Sequence, residues 1–121
     1  MLHIYQLEAT KLVSDIAHLK EKIHHLRTTL SRVESSILNQ RNTFQQISSL
    51  EVNHTRWHGE EKIKMFAKYD IYLKKLQTYI VELEEQRELL HEELKRAEIS
   101  LYNALQKQQY MQNKILSLKN N

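Results

Sequence analysis

Histidines are the residues of this chain whose spacing best suits chemistry. His54 and His58 stand four residues apart, the spacing that puts two metal ligands on one face of a helix. A tight metal site needs a third and a fourth ligand, and Glu61 is a candidate for one of them. The two histidines also flank the presumed turn of the chain, so a solvated turn is the alternative interpretation. His24 and His25 are interpreted as a solvent-facing pair.

No catalytic constellation accompanies these histidines. The chain has no cysteine, which excludes thiolate zinc sites, a disulfide framework and a cysteine nucleophile. It also has no glycine-rich phosphate loop. The acidic stretch 82–98 is mixed with Arg87, Lys95 and Arg96, which is typical of a solvated helix face. Because a catalytic site needs a shaped, partly dry pocket, we expect a protein that is not an enzyme and has no cofactor.

The elements that must position any site are long helices. The 121 residues include no proline and one glycine, Gly59, although these two residue types supply most turns. No apolar run approaches the ~18 residues of a membrane span, and the N-terminal segment lacks a signal-peptide core. The formal net charge of +3 is too small to indicate nucleic acid as a partner. The sequence therefore predicts a soluble helical protein without direct membrane insertion.

Apolar residues recur with the seven-residue period of a coiled coil, in two series. The first runs from Leu2 to Ile47, and thirteen of its fourteen a and d positions are apolar. The second runs from Phe66 to Leu118, and fourteen of its sixteen a and d positions are apolar. Three positions of this seam are polar: Gln40, Arg87 and Gln108. We expect them to fix the register of the helices rather than to bind a ligand.

The two series are out of phase with each other, which indicates a break between two helices. The segment between them holds Asn53, Thr55 and Gly59, a cluster of helix-stop and helix-start residues. We therefore expect an all-α fold, a single helical hairpin over 1–121 in which two long helices form an antiparallel coiled coil. Helix 1 is predicted over about 2–51, the turn over about 52–60 and helix 2 over about 61–118. We expect this hairpin to be monomeric on its own.

Charged residues beside the seam predict which residues of the two helices face each other. With the turn centred near residues 56–57, Arg27 faces Glu84 and Arg41 faces Asp70, and no strong like-charge pair arises. Each such pair is worth only ~0.2–1 kcal/mol when exposed, so the agreement indicates specificity rather than stability. In this register helix 2 outruns helix 1 beyond Met111.

Some apolar residues occupy positions that an isolated hairpin would leave in solvent. Near the termini these are Ile4, Leu7, Ile99, Tyr102, Leu105, Tyr110 and Leu116. Near the turn they are Trp57, Ile63, Met65, Ile71 and Tyr72. Apolar clusters on an outer face indicate partner binding. For Trp57, a cap over the end of the coiled coil is the alternative.

A resemblance to a known family adds to this interpretation. The segment Trp57-His58-Gly59-Glu60-Glu61-Lys62-Ile63-Lys64-Met65-Phe66 resembles the W-x-x-E-E-x-x-x-x-[FY] signature of the YscO-type proteins of bacterial type III secretion. The spacing of apolar residues from Leu73 to Ala104 is similar to that of the family's second helix. Helix 1 resembles the family only in its length and heptad character.

This resemblance implies a central-stalk role like that of the flagellar FliJ-like proteins. The resemblance implies that members of this family contact the hexameric export ATPase, the cytoplasmic domain of the export gate and secretion chaperones. The implied location is the bacterial cytoplasm, peripheral to the inner-membrane secretion apparatus. The residues assigned to partner binding on this hypothesis are Trp57, Glu60, Glu61, Phe66, Ile99, Tyr102 and Leu105. The alternative is a generic homodimeric coiled-coil scaffold or tether with no ATPase partner.

Overall fold

A computed structural model shows two α-helices that pack against each other as an antiparallel hairpin, which confirms the predicted all-α fold. Helix α1 spans Leu2–Val52 and helix α2 spans Gly59–Asn120. The structure describes residues 1–52 and 59–120, and within them the side chains of 1–49, 59 and 63–120. Most of the predicted turn therefore lies outside the described residues.

The composition explains why the helices are so long. Without proline, and with the one glycine at the start of α2, nothing interrupts the i to i−4 backbone hydrogen bonds of either helix. Four threonine hydroxyls inside the helices bond back to their own backbone, since each of these Oγ1 atoms donates to the carbonyl four residues earlier at 2.9–3.0 Å. These threonines are Thr10, Thr28, Thr43 and Thr78. The back-bonding accommodates a polar, β-branched residue within a helix.

Gly59 marks the first residue of α2 and has a φ of +67°, in the left-handed region. No other described residue has a positive φ. An L-residue in this region brings its Cβ close to the following carbonyl oxygen, whereas glycine has no Cβ. The chain therefore places its one glycine where the backbone needs it.

The heptad seam forms the core of the hairpin. All fourteen a and d positions of the first series are buried or half-buried, as are fifteen of the sixteen positions of the second. The exception is Leu118, which is 37% exposed. Among the described residues, the two most deeply buried are Met111, at 2% exposure, and Ile37, at 3%. Period and phase in the sequence thus predicted the buried face of both helices.

The polar seam positions remain partly in solvent. Gln40, Arg87 and Gln108 are each half-buried, and none of the described polar or charged residues is fully buried. The Arg87 Nε lies 3.7 Å from an Oε of Glu88 on the same helix. Because the open sides of a two-helix seam admit water, a polar residue there keeps part of its hydration.

The described chain divides into two compact units, each built from a piece of both helices. The terminal unit contains Met1–Thr29 and Leu90–Asn121, and the middle unit contains Leu30–Leu89. The terminal unit is centred on buried apolar side chains of Leu12, Ile16, Ile23, Ala97 and Met111. The middle unit is centred on those of Leu30, Ile37, Leu76, Ile80 and Leu83.

The predicted register of the two helices is wrong. In the terminal unit an Nη of Arg27 lies 3.7 Å from an Oε of Glu98, rather than beside Glu84. In the middle unit Arg41 forms a hydrogen-bonded ion pair with Glu84, rather than with Asp70. Each observed partner lies 14 residues further along α2 than the predicted one.

The spacing of the charges explains this error. The acidic residues Asp70, Glu84 and Glu98 recur at intervals of 14 residues, and so do Arg27 and Arg41. The same charges therefore form opposite-charge pairs in more than one register. Exposed ion pairs are also too weak to outweigh the packing of the seam.

The predicted end of the helix–helix contact is also wrong. Met111 was expected to be the last covered seam residue of α2, with an overhang beyond it. Instead Ile115, the next seam residue after Met111, is still half-buried. A register shifted along α2 brings its C-terminal turns beside α1, which covers Ile115 and leaves Leu118 at the edge.

Candidate functional site

The predicted partner-binding residues fall into three structural situations. Trp57 lies outside the described residues, and so do the side chains of Glu60 and Glu61, although their backbone belongs to the first turn of α2. Phe66 is half-buried in the seam. Ile99, Tyr102 and Leu105 are all exposed on α2 of the terminal unit. Their role in binding stays a prediction.

Tyr102 and Leu105 border an open groove between the two helices of the terminal unit, which we call the terminal groove. Its volume is about 370 Å³. The α1 wall consists of Lys20, Ile23, His24 and Arg27. The α2 wall consists of Glu98, Leu101, Tyr102 and Leu105. Ile23 and Leu101 belong to the seam, so the floor of the groove is apolar.

The position of each wall residue in the heptad explains why the groove forms. Lys20 and Arg27 occupy e positions of α1, while Glu98 and Leu105 occupy e positions of α2. In an antiparallel pair the e positions of both helices lie on the same side of the seam. The long side chains of these residues stand up on either side of the apolar floor, and the pair of Arg27 with Glu98 closes one end of the groove.

Other apolar side chains of the terminal unit are exposed, as the sequence predicted. They are Ile4, Leu7, Tyr110 and Leu116, and Val13 joins them although the sequence interpretation did not include it. The Lys114 ammonium lies 5.7 Å from the ring centroid of Tyr110, within the range of a cation–π contact. The terminal unit therefore presents apolar groups outside the groove as well.

The middle unit has its own exposed apolar side chains. Ile63, Ile71 and Tyr72 are exposed as predicted, whereas Met65 is half-buried. Four further exposed residues were not anticipated: Leu38, Tyr79, Val81 and Leu89. A smaller groove of about 180 Å³ runs beside Arg41, Phe44 and Gln77. The ion pair of Arg41 with Glu84 borders this side of the unit.

The sequence interpretation missed the basic wall of the terminal groove. His24 was assigned only to a solvent-facing pair; it is exposed, and it also lines the groove. Lys20 was given no role, and Arg27 was considered only as a register charge. The heptad positions carried a signal for this wall. The e and b residues of the two helices lie on the same side of the seam, so their charges could have been compared from the sequence.

Nothing in the described part of the chain points to a metal site. Within residues 1–52 and 59–120, no group of three or more His, Asp or Glu side chains is placed to hold a metal ion. His54 and His58 lie outside that part, so the metal hypothesis for them stays open. No described helix is both long enough and apolar enough to cross a membrane.

Comparison with known proteins does not assign the chain to a family. The chain matches no family model, no curated protein and no solved structure. The interpretation of its function therefore depends on the residues themselves: the segment 57–66, the heptad seam and the exposed groups around the terminal groove.

Proposed function

We propose that the chain is a type III secretion apparatus protein of the YscO type. In this role it is a coiled-coil stalk that engages the hexameric export ATPase and links it to the cytoplasmic domain of the export gate and to secretion chaperones. It would work in the bacterial cytoplasm, peripheral to the inner-membrane apparatus. The family assignment is supported by the segment 57–66, whose residues resemble the family signature.

The observation that carries a partner-binding function is the exposure of Tyr102 and Leu105 at the terminal groove. Tyr102 is 63% exposed. An exposed aromatic side chain beside an apolar floor is the kind of group that becomes a binding hot spot when a partner covers it. We therefore assign the ATPase ring to the terminal unit. The gate or the chaperones are assigned to the segment from Trp57 to Phe66.

The proposal predicts that the purified chain stimulates the hexameric export ATPase of the same bacterium. Tyr102→Asp and Leu105→Asp should each reduce stimulation and capture of the ATPase, because a carboxylate replaces an apolar contact. Leu89→Asp is the matched control, since Leu89 is also exposed on α2 but lies in the middle unit. Full ATPase binding by a correctly helical Tyr102→Asp, Leu105→Asp double variant would refute the assignment of the terminal unit.

A homodimeric scaffold or tether is the second candidate, and the exposed apolar residues of the middle unit favour it. Leu38, Val81 and Leu89 are exposed there and would be covered if two copies packed together. Sedimentation or light scattering separates the two candidates. A stable dimer with no monomer at micromolar concentration, and with no effect on the ATPase, would favour the scaffold.

A further inference from the structure

The two walls of the terminal groove differ in chemistry. On α1, Lys20, His24 and Arg27 follow one another at intervals of four and three residues, so they form one ridge of basic groups. On α2, Tyr102 and Leu105 form an apolar ridge. A ligand that fits both walls must have an apolar face with acidic groups along one edge.

The charge of the basic wall is only partly neutralised. Glu98 is the one acidic residue in the lining of the groove, and its partner is Arg27 at 3.7 Å. No carboxylate among the described side chains lies within ion-pair distance of Lys20. Lys20 therefore stands at the groove as a positive group with capacity for an acidic ligand.

The α2 wall continues towards the C-terminal end of the helix as an uncharged ridge. The same heptad positions that hold Tyr102 and Leu105 hold Gln109, Gln112 and Leu116 in the following turns, all of them exposed. From residue 102 to residue 116 this ridge extends for about 21 Å, at 1.5 Å per residue. A straight, uncharged ridge of four turns beside a groove suits a third helix rather than a small molecule.

A second copy of the chain fits this groove poorly. Its acidic exposed stripe on α2 is the one around Leu89, with Glu85 and Glu92 one turn on either side. The exposed apolar side chains on that stripe, Val81, Leu89 and Ile99, lie eight and ten residues apart, whereas a helix in the groove requires an apolar residue every three to four positions. The occupant is therefore expected from a different protein.

We infer that the terminal groove binds an amphipathic helix of a partner protein, whose apolar stripe lies on Ile23, Leu101, Tyr102 and Leu105 and whose acidic edge faces Lys20. This inference deepens the proposed function and rests on it for the assignment of the terminal unit as a partner-binding unit. It adds the chemistry of the segment that the partner supplies.

The test uses two synthetic helical peptides of about 18 residues, the length of five helical turns. Both carry leucine at i, i+4, i+7 and i+11, and a hydrocarbon staple holds them helical. One has glutamate along the edge of the leucine stripe, and the other has lysine there. Fluorescence anisotropy with the full chain should show about tenfold tighter binding of the glutamate peptide at low salt, and added salt should reduce this difference.

Matched variants locate the binding. Lys20→Glu should abolish the preference for the glutamate peptide, whereas Lys22→Glu, the same charge change two residues away on the opposite side of the seam, should preserve it. Leu105→Asp should weaken binding of both peptides, and Leu89→Asp should not. Both leucines are exposed, so neither variant removes a core side chain.

Three results would overturn the inference: equal binding of the two peptides, an unchanged preference in Lys20→Glu, or self-association of the chain that Lys20→Glu abolishes. The last result would make a second copy the occupant. ATPase stimulation is measured separately. Stimulation without peptide preference would refute the inference alone, and peptide preference without stimulation would refute the proposed function alone.

Discussion

Adjacent residues on α1 allow a sharp test of the seam. Ile37 is 3% exposed at an a position of the middle unit, whereas Leu38, the next residue, is 60% exposed. Both lie in the interior of the same helix, so their replacement by alanine changes the local backbone in nearly the same way. The difference between Ile37→Ala and Leu38→Ala therefore isolates burial against α2.

The expected magnitude follows from the carbon atoms removed. Ile37→Ala deletes three buried carbons, which at ~0.8 kcal/mol each destabilises the hairpin by about 2.4 kcal/mol. Alanine is the better helix former by roughly 0.4 kcal/mol, which leaves a net loss of about 2 kcal/mol. We add no cavity term, because the open sides of a two-helix seam can close around a smaller side chain. Leu38→Ala should change the free energy of unfolding by less than about 0.5 kcal/mol.

Urea unfolding followed by the helical circular dichroism signal measures both variants against the parent chain. The transition midpoint of Ile37→Ala should fall with little change in its slope, since the same surface is exposed on unfolding. The reasoning would be refuted if Leu38→Ala lowered the midpoint as much as Ile37→Ala. That result would mean that the face of α1 assigned to the seam is not the one that packs on α2.

Three further predictions follow from the observed geometry. Gly59→Ala should destabilise the hairpin by about 1 kcal/mol in urea unfolding, since a Cβ at a φ of +67° is strained although no atom lies within 4 Å of it. A double-mutant cycle on Arg41 and Glu84 should give a coupling of ~0.2–1 kcal/mol, and the cycle on Arg41 and Asp70 should give none. Met111→Ala should lower stability by about 2 kcal/mol, because this side chain is 2% exposed.

Each of these predictions has its own control. Gly59→Asn should be milder than Gly59→Ala, because asparagine tolerates the left-handed region better than alanine does. Leu118→Ala, at the exposed end of the seam, should have a smaller effect than Met111→Ala. If the cycles showed coupling of Arg41 to Asp70 rather than to Glu84, the register expected from the sequence would be the correct one.

The buried face of both helices could be predicted because a single physical rule determines it. A heptad pattern over seven heptads or more leaves one apolar stripe on each helix, and only that stripe can be removed from water. The same rule placed Gln40, Arg87 and Gln108 in the seam and left Tyr102 outside it. The heptad pattern of the sequence was sufficient to predict these features, because no other contact between residues far apart in the sequence competes with it.

The register and the terminal groove could not be predicted in the same way. The register depends on small differences between competing pairings, and the charges beside the seam give opposite-charge pairs for Arg27 with either Glu84 or Glu98. The groove depends on the register, because the register decides which α2 residues stand opposite Lys20. An error in the register therefore assigns the wrong partner to every e position.

The recurrence of charges every 14 residues also affects how the chain must fold. A hairpin that first closes in the register expected from the sequence already pairs Arg27 with Glu84 and Arg41 with Asp70, so it has little electrostatic reason to rearrange. Reaching the native pairing requires the helices to separate over many turns, so we expect this mispaired species to slow refolding. The seam makes the mispaired species less stable than the native hairpin, because Ile115 would lose its cover in it. Rearrangement to the native register is thus favoured by the C-terminal turns of α2.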